Sequence, residues 1–375
     1  MEETNKEVKS SITVFLIASI VILVGIGFGF LYSASKLAGI KFYNNEYYYI
    51  IRQSIYFFCG MIIFIAALFI SPDLYRKYIK FIVIGTIVLL IITLLPFVGK
   101  EVSGAKRWIS FSFIQFQPSE FAKISIILYL SSVLANKKEL IKDFYKGVLP
   151  PLIMSFLIIF LIFIEPDFST SFILILLVFI MLFLSGVNLV TFFMLLGTGF
   201  LGLFVMLIFA QYRLKRFLAF LNPWVDPLGA GWQYIQAMKC FALGKAFGVG
   251  IGESTQKNFG LPEAQNDYIF AIIAEEGGAF FAIIVVILFM IITITGFNIA
   301  KSCKNRYYYL LASGITLIIF LQSIINISVV IGLLPSTGIT LPFISSGGSS
   351  LIVFMFLTGV LLNISFNKRK LEYED

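Results

Sequence analysis

The chain alternates between long apolar stretches and shorter polar segments. Most of the apolar stretches approach the roughly 20 residues that a helix needs to cross the hydrocarbon core of a bilayer. We identify ten of them, which cover residues 11–32, 51–70, 81–98, 121–134, 148–164, 170–184, 189–209, 268–297, 308–331 and 350–366. The pattern predicts an all-α, polytopic integral membrane protein with ten transmembrane helices.

Two of the polar segments, 99–120 and 210–266, are much longer than the others, and long connections are usually functional or disordered. The longer one is rich in Trp, Phe and Leu, a composition that disfavours disorder. Within it, residues 231–244 predict a short helix that lies at the membrane surface or re-enters the membrane. Because no separate soluble domain is visible, we expect residues 1–375 to form one membrane domain.

The basic residues predict an orientation for this domain. Lys and Arg are more frequent in the short loops on the side of the two termini than in those on the opposite side. By the positive-inside rule both termini are cytoplasmic, and the two long segments lie outside the cytoplasmic membrane. Since the net charge of +8 comes mostly from residues at membrane edges, it does not indicate a nucleic acid partner.

Composition narrows the chemistry further. At 59% hydrophobic and 13% charged residues, the chain is not a soluble globular protein. It contains no His, which excludes His general bases, His metal ligands and a Ser-His-Asp triad. Its three Cys have no metal-ligand spacing, so acid–base chemistry falls to Asp, Glu, Lys or Tyr.

Asp267 is the strongest candidate for such chemistry. It directly follows the long segment 210–266 and precedes an apolar run that carries the pair Glu275 and Glu276. One interpretation is a helix N-cap, in which backbone N–H groups bind the carboxylate and lower its pKa. The other is a general base whose pKa burial raises, beside Pro262 and Glu263. The residues alone leave both open.

A second candidate group lies in segment 99–120 and at the start of the next helix. Glu120 and Lys123 share a helix face, and Lys106, Arg107 and Trp108 precede them. Cations beside an aromatic ring suit a diphosphate or a sugar. A structural ion pair and headgroup anchors explain the same residues equally well.

Two further segments are polar in an otherwise apolar setting. Glu165, Pro166 and Asp167 form a short turn, for which a solvated turn is the simpler interpretation. Gly and Ser residues at 336–350 either line a cavity or let helices pack closely. Ser346 and Ser349 are the candidate ligand-binding residues among them.

Several motifs, in the same order, resemble the SEDS family (shape, elongation, division and sporulation), closer to its FtsW/SpoVE branch than to RodA. They are GAKRWI at 104–109, QPSEFAK at 117–123, EPD at 165–167, FLNPW at 220–224 with DP at 226–227, QK at 256–257, LPE at 261–263, DYIFA at 267–271, EE at 275–276, and LPSTG at 334–338 through GGSS at 347–350. The resemblance runs from about residue 45 to the C-terminus.

The resemblance implies a ten-helix peptidoglycan glycosyltransferase that polymerises lipid II into glycan strands at the outer face of the cytoplasmic membrane. It implies a class B penicillin-binding protein as the partner transpeptidase, together with other divisome or elongasome proteins. The family's essential aspartate maps onto Asp267, which we expect to be the base of an inverting displacement. The candidate substrate-binding residues are Lys106, Arg107, Trp108, Gln117, Glu120, Lys123, Gln256, Lys257, Pro262, Glu263, Ser346 and Ser349.

Two questions stay open at the level of sequence. The leaving diphosphate is bound either by the cationic residues Lys106, Arg107, Lys123 and Lys257 alone, or by these residues together with a divalent cation, Mg or Mn. A lipid II flippase or a scaffold for the transpeptidase are alternative functions, but the motif residues gather on the outer side, which favours the enzyme.

Overall fold

The computed structural model describes residues 2–95, 99–102, 105–111, 114–209, 211–257 and 260–371. The described residues are mainly helical, as predicted. The helices are α1 (Glu2–Tyr43), α2 (Tyr48–Phe69), α3 (Pro72–Lys77), α4 (Ile79–Leu94), α5 (Pro118–Asn136), α6 (Leu149–Ile164), α7 (Phe168–Leu184), α8 (Leu189–Phe209), α9 (Gln211–Leu221), α10 (Trp232–Gly244), α11 (Ile269–Glu276), α12 (Gly278–Lys301), α13 (Arg306–Val330) and α14 (Gly348–Leu371).

Apolar helices occupy all ten predicted stretches. In the described part of the chain, seven helices are long and apolar enough to cross a membrane, and α4, α7 and the described apolar part of α8 are shorter. The multi-span architecture is therefore confirmed, whereas the number of ten crossings stays a prediction. The predicted short helix at 231–244 is present as α10.

The segment between α4 and α5 contains a small antiparallel sheet that the sequence did not predict. Its strands are β1 (Gly99–Val102), β2 (Ala105–Phe111) and β3 (Ile114–Phe116), in the order β1-β2-β3. Gly99 pairs with Ile109, and Ile109 pairs with Phe116 on its other side. The sheet leads directly into the QPSEFAK motif, so it determines where α5 begins.

The predicted span 268–297 is not one helix, because it breaks between α11 and α12. Backbone N–H groups of Val249 and Gly250 donate to the carbonyls of Glu275 and Glu276 at 2.9 and 3.1 Å, which satisfies the broken helix end. Gly248 makes this approach possible, because a Cβ there would lie 2.1 Å from the Glu276 carbonyl oxygen. The segment that follows α10 is thus packed onto the C-terminal end of α11.

Helix α13 lies at the centre of the bundle, and most of its length is buried. Its interior face is not wholly apolar, since Gln322 and Asn326 are each 1% exposed. Buried amides require partners, and each of these two donates to a backbone carbonyl in the segment between α13 and α14. The polar residues of α13 therefore hold the segment that covers the candidate site.

Candidate active site

Asp267 lies in the turn that precedes α11 and is only 8% exposed. The residue that flanks the helix start is Tyr268, and no side chain of the described residues caps it. The N-cap interpretation of Asp267 is therefore wrong. Its Oδ1 atom is buried and has no hydrogen-bond partner among the described residues. A buried carboxylate oxygen without a partner is costly in a purely structural residue, and is a feature of functional sites.

The electrostatic setting of Asp267 suits a base that works near neutral pH. Burial raises the pKa of its carboxyl from 3.8 to about 7, and the negative charge of Glu263 adds to this effect. A backbone hydrogen bond and the positive charge of Arg216 on α9 act in the opposite direction. A carboxyl whose pKa lies near the working pH is well matched to general base catalysis.

An extended strap, residues 336–340, covers the side chain of Asp267. Gly338 has φ +76° at its centre, and a Cβ there would lie 3.9 Å from the Asp267 Oδ2 atom. Side chains from four helices bind the strap. The Ser336 N–H donates to the Tyr234 hydroxyl. The backbone carbonyls of the strap accept hydrogen bonds from four side chains: Arg216 binds Ser336 (3.4 Å), Ser169 binds Thr337, Asn326 binds Ile339 (2.6 Å) and Gln322 binds Thr340 (3.0 Å).

Asn326 also fixes the backbone of the candidate base. Its Nδ2 atom donates to the Asp267 carbonyl at 2.8 Å, in addition to its bond with the strap. The strap and the turn that carries Asp267 are therefore held by one amide. This arrangement sets the distance between the strap and the carboxylate, as a positioned catalytic group requires.

Glu120 and Lys123 form a buried ion pair close to this centre. Lys123 is 1% exposed, and its Nζ donates to Glu120 Oε1 and to Gln322 Oε1, both at 2.7 Å. Gln322 is one turn before Asn326 on α13, about 6 Å along the helix axis. The pair thus supports the strap through Gln322. The Lys123 ammonium group is already bound by Glu120 and Gln322.

Arg107 is also engaged, by the turn between α6 and α7. Its guanidinium donates to the backbone carbonyls of Glu165 (3.0 Å) and Pro166. The solvated interpretation of this turn is wrong, because Glu165 is 1% and Asp167 4% exposed. Asp167 accepts hydrogen bonds from the side chains of Gln117 (3.1 Å), Ser119 (3.0 Å) and Thr170 (2.9 Å), which joins the turn to the start of α5.

The two acids of this turn should respond differently to neutralisation. Burial raises the pKa of Glu165 from 4.5 to about 8, so the folded protein holds this proton where the unfolded chain has lost it. Stability therefore falls as pH rises from about 4.5 to 8. We expect Glu165→Gln to raise the Tm relative to wild type at pH 8 and less at pH 5. Asp167→Asn should lower the Tm at both, since it disturbs a side chain that accepts hydrogen bonds from Gln117, Ser119 and Thr170. A Glu165→Gln protein less stable than wild type at pH 8 would contradict this.

Lys257 forms a third buried contact, on the far side of α11. Its Nζ lies 2.8 Å from Glu276 Oε1 and also donates to Ser33 Oγ at 2.7 Å. Glu275 accepts from Ser254 Oγ at 2.6 Å and from the Thr255 N–H at 2.8 Å. The glutamate pair therefore anchors residues 254–257 to α11 and α1.

The other predicted residues are distributed around this centre. Gln256 is buried beside Thr255, whereas Pro262 and Glu263 are exposed. Ser349 accepts from the Gln117 N–H at 3.1 Å. The Ser346 N–H donates to the Gln265 carbonyl at 2.9 Å, two residues before Asp267. Trp108 is half-buried in β2, and the Lys106 side chain lies outside the described residues.

Comparison with known proteins agrees with this architecture. A family model described as "Cell cycle protein", which groups FtsW, RodA and SpoVE, matches residues 13–370. The chain belongs to this SEDS family. It is 36% identical to a probable peptidoglycan glycosyltransferase FtsW of Trichlorobacter lovleyi, over 93% of this chain and 92% of the relative. It is also 36% identical to stage V sporulation protein E of Bacillus subtilis, over 95% of this chain and 98% of that relative.

Solved structures extend the likeness to three dimensions. One, described as "Structural coordination of polymerization and crosslinking by a peptidoglycan synthase complex", matches with a TM-score of 0.78 at 25% identity, covering 96% of this chain and 98% of that one. RodA of Thermus thermophilus matches with a TM-score of 0.69 at 23% identity, covering 96% and 97%, which shows the fold alone. This SEDS chain is thus a multi-pass membrane protein.

Several residues of this candidate site were not predicted from the sequence. Arg216, Asn326 and Gln322 surround Asp267 or its strap, yet none was a candidate. A signal was available for Arg216, which lies in the basic run QYRLKR at 211–216, within the long segment 210–266. For Gln322 and Asn326 the signal was their position as polar residues within the apolar run 308–331, because buried polar groups in membrane helices are usually functional.

Among the described residues, no group of three His, Cys, Asp or Glu side chains could hold a metal ion. Of the two neighbouring acids Asp267 and Glu263, only Asp267 is buried. The arrangement consists of one buried carboxylate, one nearby guanidinium and a strap held by side chains from four helices. It can take a proton from a hydroxyl and stabilise a negative charge beside it.

Proposed function

We propose that this chain is a peptidoglycan glycosyltransferase that polymerises lipid II at the outer face of the cytoplasmic membrane. The relatives at 36% identity include a protein named as a probable enzyme of this kind. The observation that supports the assignment most is Asp267, buried, with an unpartnered oxygen and a pKa of about 7. A carboxylate with these properties is suited to act as a base.

The proposed reaction is a single displacement at the anomeric carbon of the donor. Asp267 removes the proton from the 4-hydroxyl of the acceptor sugar as this oxygen attacks. The new glycosidic bond forms while the bond from the anomeric carbon to the diphosphate breaks. Undecaprenyl diphosphate leaves with the bonding electrons, and the α-linked donor becomes a β-1,4 linkage.

The leaving diphosphate needs positive charge, and the predicted cations are largely engaged elsewhere. Lys123 is paired with Glu120, Lys257 with Glu276, and Arg107 binds a backbone turn. We therefore assign the main role to Arg216, whose charge acts on Asp267 and whose guanidinium contacts the strap at Ser336. Guanidinium groups bind phosphate oxygens through two parallel hydrogen bonds.

Arg216→Ala is expected to lower kcat/KM for polymerisation by roughly 10²-fold, the usual effect of losing one group that stabilises developing charge. Arg216→Lys should recover part of this loss, because it restores the charge without the fork geometry. Lys215→Ala is the matched control, since Lys215 is exposed on the same helix. The measurement is the rate of glycan formation from purified lipid II. Equal rates for the Arg216→Ala and Lys215→Ala proteins would remove Arg216 from the reaction.

A class B penicillin-binding protein is the proposed partner, with the growing glycan strand as their shared product. A structural relative comes from a complex that couples polymerisation with crosslinking, which supports this assignment. Other divisome or elongasome proteins complete the proposed assembly. The distribution of basic residues supports a cytoplasmic position for both termini and an outer position for Asp267.

One assay tests this function against transport. Purified protein in detergent is given lipid II, with and without the penicillin-binding protein and with and without Mg²⁺ or Mn²⁺. Glycan strands are expected, because no membrane has to be crossed. A protein that moves lipid II across vesicles but makes no glycan in any of these conditions is a flippase. A dependence on the cation would add a metal to the leaving-group site.

A further inference from the structure

Three tyrosines form a compact cluster where α1 ends and α2 begins. The rings of Tyr43 and Tyr48 stack with centroids 3.5 Å apart and 9° between their planes. Tyr49 meets both rings edge-on, at 5.9 and 5.4 Å. The Arg52 guanidinium lies 5.6 Å from the Tyr48 centroid and donates to the Tyr48 hydroxyl at 3.2 Å. We call Tyr43, Tyr48, Tyr49 and Arg52 the tyrosine platform.

The platform adjoins the turn that carries Asp267. Tyr49 lies within electrostatic reach of Glu263. One turn along α2, Gln53 donates to the Ser345 carbonyl at 3.2 Å, and the next N–H, of Ser346, binds the turn at Gln265. The tyrosines are therefore fixed to one side of the candidate active site by α2.

The chemistry of the platform matches a carbohydrate. Tyr43 is 47% exposed, although one face of its ring is stacked on Tyr48. Flat aromatic faces pack against the C–H faces of pyranose rings, while phenol, guanidinium and carboxylate groups bind their hydroxyls. Because the three rings hold one another in place, little side-chain entropy is lost when a ligand binds.

We propose that the tyrosine platform binds sugar residues of the glycan strand next to the reacting pair. The inference rests on the proposed function, and it adds a binding subsite that the motif residues do not contain. Its position implies that the strand passes from Asp267 over Glu263 onto Tyr49 and Tyr43. A subsite for the product keeps the strand bound between additions, which lengthens the chains.

Lipid headgroup anchoring is the competing role, since tyrosines are common at membrane interfaces. Anchoring tyrosines face lipid singly, whereas these rings pack on one another, and Tyr49 lies within electrostatic reach of Glu263. Charged residues accompany them, including the Lys36–Glu46 ion pair at 3.3 Å beside the stacked rings of Tyr32 and Tyr47. The platform therefore resembles a polar binding surface more than the band of aromatic residues that anchors a protein at a membrane interface.

The first experiment measures sugar binding without turnover. Soluble oligosaccharides of alternating N-acetylglucosamine and N-acetylmuramic acid are titrated calorimetrically into the Asp267→Asn protein in detergent. Adding Tyr43→Ala and Tyr49→Ala is expected to weaken binding about tenfold, the effect of losing one or two aromatic contacts. Tyr145→Ala is the matched control, because Tyr145 is 76% exposed in the segment between α5 and α6. Unchanged affinity in the double tyrosine variant would overturn the proposal.

The second experiment separates the subsite from headgroup anchoring and from the proposed function. In detergent with lipid II, the tyrosine variants should make shorter strands than the Tyr145→Ala control. Normal strand length in detergent, with a defect confined to vesicles, would assign the tyrosines to lipid and overturn the proposal. If the wild type makes no glycan, the proposed function fails, whereas tyrosine-dependent oligosaccharide binding would still support the subsite.

Discussion

Asp267→Asn is expected to abolish glycan synthesis while the protein stays folded. The amide has nearly the shape of the carboxylate but cannot accept a proton from the acceptor hydroxyl. General base catalysis contributes roughly 10²–10⁴-fold, and the polymerisation rate should fall by that factor. Strand formation from purified lipid II, with and without the class B penicillin-binding protein, measures the loss.

Glu263→Gln is the matched control for this substitution. Glu263 is an acid four residues earlier in the chain, and it is exposed. Its charge contributes to the high pKa of Asp267, so its loss should shift the pH profile to lower pH without abolishing synthesis. If Glu263→Gln abolishes synthesis and Asp267→Asn does not, the base has been assigned to the wrong acid.

The pH dependence follows from the same carboxyl. Its pKa is about 7 in the folded protein against a usual value of 3.8. The rate should rise with pH until about 7 and then level off, as the basic form becomes fully populated. Since the folded state holds this proton more tightly than the unfolded chain, stability falls as pH rises from about 4 to 7. Asp267→Asn should therefore have a higher Tm than wild type at pH 8.

Much of the fold could be predicted because lipid imposes a simple pattern on the chain. A membrane helix must be apolar over many residues, so helices occupy every predicted stretch. The sheet at 99–116 was missed because its strands are short and its pairing depends on local register. The break between α11 and α12 was missed because its backbone partners, Val249 and Gly250, lie in a different segment.

The candidate site was predictable only where chemistry is concentrated in one motif. Asp267 stands out because an acid precedes a buried run, and the family resemblance points to the same residue. Which groups the candidate lysines bind is not visible in the sequence, because their partners lie in distant parts of the chain, as for Lys257 with Ser33 and Lys123 with Gln322. The strap is likewise invisible in the sequence, since its partners Ser169 and Arg216 precede it by more than a hundred residues.

Removing one charge of the Glu120–Lys123 pair should destabilise the protein, because each charge is buried and is compensated mainly by the other. Lys123→Met leaves the Glu120 carboxylate buried without its cation, and Glu120 Oε2 already lacks a hydrogen-bond partner among the described residues. Breaking a buried pair from one side costs roughly 3–5 kcal/mol. Thermal unfolding in detergent should show a clear loss of Tm for Lys123→Met and for Glu120→Gln.

The double variant, Glu120→Gln with Lys123→Met, removes both charges together and should recover most of the lost Tm. Because Gln322 keeps its own bond to Thr340, the strap stays in place, and we expect polymerisation within about tenfold of wild type; a tenfold change in rate corresponds to only ~1.4 kcal/mol of barrier. A double variant that is as stable as wild type yet makes no glycan would show that the ammonium of Lys123 acts on the substrate. The comparison of stability with rate thus separates a supporting ion pair from a reacting one.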